Sequence, residues 1–144
     1  MKVYKFGGAS VRDAKGIRNL QSIVQLEYEK GTELMIVVSA MGKTTNALEA
    51  VVNALVEGKE QQALEQWIQI IDSHVAIMKE LGLQPGIDVR LQGEIPYDPQ
   101  RSYDENYDQI VSLGEIMSTQ IIAVYLLKQG LRVEWWNIPK LLRT

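Results

Sequence analysis

Leu34-Met35-Ile36-Val37-Val38 is an unbroken apolar run, and its reading decides the fold. A strand with one wet face alternates apolar and polar residues, whereas a strand buried on both faces, as in a parallel sheet, does not. The spacing upstream agrees. Within residues 12–30, Ile17, Leu20, Ile23, Val24 and Leu26 recur at helical intervals, and Gly31 supplies the stop. Before them, residues 3–6 are short and β-prone and end at Gly7-Gly8. Strand, helix, strand with short joints is a βαβ unit, whose crossover is expected to be right-handed.

Downstream, Leu48, Val51, Val52, Leu55 and Val56 predict an amphipathic helix ending near Gly58. A second helix carries Leu64, Trp67, Ile68, Ile71, Val75, Met78 and Leu81 on one face, with Gly82 after it. Residues 84–106 hold Pro85, Pro96 and Pro99 with several acidic and Tyr residues, which predicts an irregular exposed stretch with a short helical piece near its end. The acidic residues from Asp98 to Asp108 read as a solvated loop without a metal-ligand pattern. Leu113, Ile116, Met117, Ile121, Val124 and Tyr125 build a further helix, closed by Gly130. Residues 131–136 are expected as a third strand, with at least one of Trp135 and Trp136 buried, and Pro139 prevents simple continuation. Leu141-Leu142-Arg143-Thr144 follows directly with no polar tail. A sheet of about three strands would leave an edge exposed. Both features predict a chain cut short of its natural domain, with an edge through which copies pair as a homo-oligomer.

Composition narrows the function classes. The 144 residues are 46% hydrophobic and 23% charged, the balance of a globular protein. A net charge of −3 argues against sequence-blind binding to nucleic acid or an anionic membrane, while leaving room for a local basic pocket. Without cysteine there are no disulfides, thiolate metal sites or Cys nucleophile. The single histidine, His74, speaks against a His-rich zinc site or a Ser-His-Asp triad, and its helical setting suggests a structural or surface residue. No apolar run approaches the roughly 18 residues of a membrane span, and the start lacks the apolar stretch of a signal peptide. A cytoplasmic protein is expected.

Three segments can carry chemistry. Gly7-Gly8 lies between a strand and a helix, so its N–H groups can approach an anion at the helix N-terminus, with Lys5 adding positive charge; an ordinary strand-to-helix turn fits the pair equally. Gly42-Lys43-Thr44 resembles the end of a Walker A loop, but Val37 stands where that loop needs its first Gly. The stretch Ser39-Ala40-Met41-Gly42-Lys43-Thr44-Thr45-Asn46 opens a helix at the carboxyl end of a strand. Crevices at such ends hold ligands, and Thr44 or Thr45 can alternatively cap the helix. Ser112 with Glu115 matches a capping box; otherwise Glu115 faces the crevice and takes an ammonium group.

Taken together, Lys5-Phe6-Gly7-Gly8-Ala9-Ser10-Val11, Val37-Val38 with the Ser39-to-Asn46 stretch, and Ser112-Leu113-Gly114-Glu115 occur in the order and spacing of aspartokinases. Over residues 1–144 the chain resembles the N-terminal part of that family's amino-acid kinase domain. The resemblance implies an α/β fold, a mainly parallel sheet with helices on both faces. It implies transfer of a phosphoryl group from ATP with Mg2+ to the side-chain carboxylate of L-aspartate, giving 4-phosphoaspartate on the way to lysine, threonine and methionine. Lys5 would be the catalytic residue, contacting the β- and γ-phosphates, with Gly7, Gly8 and Ser10 completing the phosphate site. Ser39, Thr45 and Glu115 would hold aspartate, Glu115 at its α-ammonium. No side chain here is implied as a metal ligand.

Two departures stand out. Ala9 occupies a position where the family usually has Thr. The family's Arg-Gly-Gly-Ser-Asp segment, which binds the aspartate α-carboxylate and organises the site, does not occur, nor do the nucleotide-base pocket and the regulatory ACT domains. The chain corresponds to about half of a typical kinase domain on domain-size grounds, so activity is expected of the full-length parent and not of these residues alone. The alternatives are another amino-acid kinase acting on a different carboxylate, and a non-catalytic module that binds a ligand or pairs through its edge.

Overall fold

The computed structural model describes residues 1–138. Strand β1 (Lys2–Phe6) leads through a 3₁₀ turn (Gly8–Val11) into helix α1 (Ala14–Glu29), and β2 (Leu34–Val38) follows. Helices α2 (Thr44–Val56), α3 (Glu60–Glu80), α4 (Tyr103–Val111) and α5 (Leu113–Lys128) complete the order. Asp13 starts α1 by accepting the Gly16 N–H on Oδ1 at 2.8 Å, and Gly31, at φ 74°, ends it. The two strands pair in parallel, in register from Lys2 with Leu34 to Phe6 with Val38. This is the expected α/β class, with its βαβ unit.

Two clusters form the core. Ile17, Leu20 and Val24 of α1 pack with Val38, Phe6 and Ile36 of the strands and with Ile121, Tyr125 and Leu126 of α5. Leu48, Val51 and Val52 of α2 pack with Ala63, Trp67 and Ile70 of α3, Ile110 of α4 and Met117 of α5. Helix α5 thus belongs to both. Each fully buried Leu or Ile in these clusters contributes about 1.5–3 kcal/mol.

Several expectations are corrected. Among the described residues β2 is covered on one face only: Met35 and Val37, with Val3 beside them, are exposed. Residues 131–136 form no ladder among the described residues. The segment instead folds back along α5, with Leu131 buried and Trp135 Nε1 donating to Thr119 Oγ1 at 3.0 Å. Trp135 and Trp136 are both exposed. On α3 the buried stripe is Ala63, Trp67, Ile70, His74 and Met78, while Leu64 and Ile68 face out. The acidic stretch after Asp98 is only half loop, because α4 begins at Tyr103. Tyr103–Lys128 also makes one helical stretch long and apolar enough by length and composition to cross a membrane, contrary to the expectation that no such run exists. Just over half of its most apolar window, 56%, is buried inside the fold, where its side chains fill the two clusters. Pro139 and residues 141–144 lie outside the described residues.

Candidate active site

Parallel strands leave a sheet at the same edge, and the candidate groups gather where β1 and β2 do. Lys5 and Val37 are register partners one residue before the strand ends, and Lys5 is exposed. Beyond the ends the two backbones stay linked. Ser39 N–H donates to the Phe6 carbonyl at 3.0 Å, and Gly42 N–H donates to the Gly8 carbonyl at 2.9 Å. Lys5, Gly7, Gly8 and Ser39 therefore sit on two cross-linked chains about 4.8 Å apart where they pair.

Gly8 is glycine because these chains touch. A Cβ there would lie 2.8 Å from the Ala40 carbonyl oxygen and 3.0 Å from that of Gly42, backbone atoms that cannot swing aside. At Gly7 nothing lies within 4 Å of a Cβ position, so its backbone borders open space at the same edge. Ser10 is exposed in the 3₁₀ turn and donates its N–H to the Gly7 carbonyl at 3.0 Å. The full helix expected directly behind Gly7-Gly8 is absent: the turn has four residues, and α1 starts only after Asp13. Positive charge at this point comes from Lys5 rather than from a long helix dipole.

Gly42, at φ 53°, turns the chain into α2. The helix is capped by neither threonine, since its N-cap is Lys43, which makes no side-chain cap bond. Both threonines already lie inside the first turn. Thr44 is buried and donates its hydroxyl to the Met41 carbonyl at 2.6 Å, whereas Thr45 is exposed.

Glu115 arrives from α5. Gly114 packs so closely that a Cβ would meet Ala40 Cβ at 2.9 Å and Leu48 Cδ1 at 3.2 Å. One turn on, Ser118 Oγ donates to the Ser39 carbonyl at 2.8 Å. These two contacts fix the start of α5 against the exit of β2, with Glu115 exposed between them. The expected Ser112–Glu115 capping box is not made. Ser112 closes α4 and opens α5 with helical backbone, so its N–H is already bonded to the Asp108 carbonyl, and its hydroxyl donates to Gln109. The box forms instead at Ser102 and Glu105, ahead of α4.

The opposite edge of the sheet is closed by charge. Glu27 lies 3.1 Å from Lys2 and 3.5 Å from Lys30. Hydrogen bonds from Lys2 and then Tyr4 pull its carboxyl down to about 2. Sequence reasoning missed Ser118 and the contact role of Gly114. It also missed Gly16, where a Cβ would collide with the Ser10 carbonyl. A glycine inside a helical pattern was the available signal for a close approach.

Comparison with known proteins gives four findings. The family model described as the amino acid kinase family matches residues 1–143. Aspartokinase 1, chloroplastic, of Arabidopsis thaliana is 30% identical over 145 residues, which span 94% of this chain and 25% of that protein. The aspartokinase of Chlamydia trachomatis is 32% identical over 124 residues, spanning 85% of this chain and 27% of its own. Among solved structures, E. coli aspartokinase III in complex with aspartate and ADP superposes with a TM-score of 0.65 at 24% identity, covering 94% of this chain and 31% of that one. That likeness is one of fold. The chain spans about a quarter of the length of the curated relatives it matches.

Proposed function

The chain belongs to the amino acid kinase family, and from that premise we propose that it is the N-terminal part of the kinase domain of an aspartate kinase, a cytoplasmic enzyme of amino-acid biosynthesis. The rest of the parent supplies the nucleotide-base pocket and any ACT domains. The parent transfers the γ-phosphoryl group of ATP to the side-chain carboxylate of L-aspartate, giving 4-phospho-L-aspartate and ADP, the first step toward lysine, threonine and methionine. The attacking carboxylate oxygen is already ionised at neutral pH, so no general base is needed.

The work of this chain is then positioning and charge. Lys5 holds its ammonium against the β- and γ-phosphate oxygens, where negative charge redistributes during transfer. Backbone N–H groups at Gly7 and Gly8, with Ser10, border the γ-phosphoryl. Hydroxyls of Ser39 and Thr45 donate to aspartate, and the Glu115 carboxylate faces its α-ammonium. Bound Mg2+ would neutralise phosphate charge. Among the described residues no group of three or more acidic or His side chains is arranged to hold it, so no step here runs through the metal.

One observation carries the reading. The exits of β1 and β2 are cross-linked by Gly42 N–H to the Gly8 carbonyl, with Gly7 left open beside Lys5. The test is a substrate panel on the full-length parent with ATP and Mg2+, trapping acyl phosphate with hydroxylamine. Product is expected with L-aspartate and not with L-glutamate, N-acetyl-L-glutamate or carbamate. Turnover of one of those in place of aspartate would reassign the enzyme.

A further inference from the structure

The two sides of Ser39 are bonded to different elements. Its N–H donates to the Phe6 carbonyl at the end of β1 at 3.0 Å, and its carbonyl accepts the Ser118 hydroxyl of α5 at 2.8 Å. Ala40 is gripped in the same way. A Cβ on Gly8 would lie 2.8 Å from its carbonyl oxygen, and a Cβ on Gly114 would lie 2.9 Å from its Cβ. Ser39-Ala40 is therefore a spacer between the glycine turn after β1 and the first turn of α5, which carries Glu115. Ser118 is 0% exposed. Its oxygen also lies 3.2 Å from the Glu115 carbonyl, but that carbonyl accepts the Thr119 hydroxyl at 2.7 Å. A hydroxyl has one hydrogen to give, and the shorter bond takes the Ser118 hydrogen to Ser39.

The two sides of the spacer are not held alike. Ser39 keeps its bond to β1 whatever α5 does. Helix α5 is seated by burial of Met117 and Ile121, and apolar burial has no direction, so it leaves a helix free to slide slightly on its bed. A hydrogen bond does have direction, and Ser118 supplies one to the β2 exit. Glu115, exposed in the turn before it, takes its position from the helix. We propose that Ser118 is a positioning residue. Its bond to the Ser39 carbonyl sets where the Glu115 carboxylate stands at the β2 exit, and so how well the site holds the α-ammonium of its substrate. The proposal rests on the role given to Glu115 under the proposed function. Removing the hydroxyl frees the first turn of α5, while Gly8 and Phe6 stay bonded to Gly42 and Ser39. The consequence is selective: recognition of the ammonium suffers and the phosphate turn does not.

The test compares L-aspartate with succinate, the same dicarboxylate without the ammonium, on the full-length parent. In wild type the KM for L-aspartate should lie well below the Ki of succinate as its competitor. Ser118→Ala should raise the aspartate KM about 3- to 10-fold, the effect of a single hydrogen bond. The succinate Ki, the KM for ATP and kcat should each move by less than about twofold. Gly114→Ala, which presses on Ala40 from the same helix turn, should give the same pattern, and it decides if Ser118→Ala fails to fold. A folded Ser118→Ala enzyme that keeps the full preference for aspartate over succinate would overturn the proposal. So would aspartate and succinate constants that rise together while kcat falls, the mark of a general loosening. A wild type that does not prefer aspartate to succinate would instead remove Glu115 from the substrate site, and with it the reading on which the proposal rests.

Discussion

Gly8→Ala puts a methyl group 2.8 Å from the Ala40 carbonyl oxygen, so either the turn or the loop must move. The expected cost is about 1–3 kcal/mol, the usual range for overpacking, read as a lower urea midpoint with unchanged slope. A midpoint equal to wild type would show that the loops part freely. Lys5 is a different case, exposed and outside the core. In the full-length parent, Lys5→Met should lower kcat on the order of 10²–10³-fold with little change in KM for aspartate, because in the proposed mechanism its charge acts on the transferring group. An unchanged kcat in a folded variant removes Lys5 from the mechanism. Much at this scale was legible in advance. Lys5, Gly7, Gly8 and Ser39 were singled out from local sequence, and they do meet at one edge. What stayed hidden was why Gly8 must be glycine. Its φ is ordinary, and the reason is a contact with residues more than 30 positions away, which no local pattern encodes.

Among the elements, β1 and α1 are joined at the closed edge by Glu27, only 8% exposed. Its carboxyl falls from an ordinary 4.5 to about 2 in the fold, so the unfolded chain binds the proton more tightly. The stability it lends is complete above pH 4.5 and drains away as pH falls toward 2. Glu27→Gln should therefore be less stable at neutral pH and lose less stability than wild type across that window, as followed by thermal melts. Parallel acid limbs for the two proteins would refute the linkage. Periodicity found α1 and β2 because their patterns admit one solution each. On α3 it found the helix and the buried Trp67 and Met78, but misplaced Leu64 and Ile68 because that helix has two apolar stripes. The more greasy one, Leu64 and Ile68, faces out, and the buried one contains Ala63 and His74, which hydrophobicity ranks low. The same ambiguity governs the caps. Ser-x-x-Glu occurs at 102–105 and at 112–115, and only the first stands at a free helix start. The run at 131–136 has strand composition, but strands exist only by pairing, and it lies on α5 instead.

For the whole molecule, the 144 residues alone are expected to produce no acyl phosphate from aspartate and ATP beside an active full-length control. Under the proposed function they supply the phosphate turn and part of the amino-acid pocket, without the Arg-Gly-Gly-Ser-Asp segment. Holding both reactants in line is where up to ~7–11 kcal/mol of barrier lowering arises. Hydroxamate formation by the purified chain at the control's rate would show that these residues suffice. The open face of Val3, Met35 and Val37 was not legible from the apolar run at 34–38, since that run specifies side chains fit for burial and not what covers them. The bond from Ser118 to the Ser39 carbonyl reaches across 79 positions. On a ribosome adding ~5–20 residues per second, the serine that braces the β2 exit is made roughly 4–16 s after the carbonyl it serves. Through that interval the newborn βαβ unit has Phe6, Ile36 and Val38 without Ile121, Tyr125 and Leu126 to meet them. Nascent-chain binding by a chaperone should therefore be strongest before α5 has emerged and should fall away once Ser118 clears the exit tunnel.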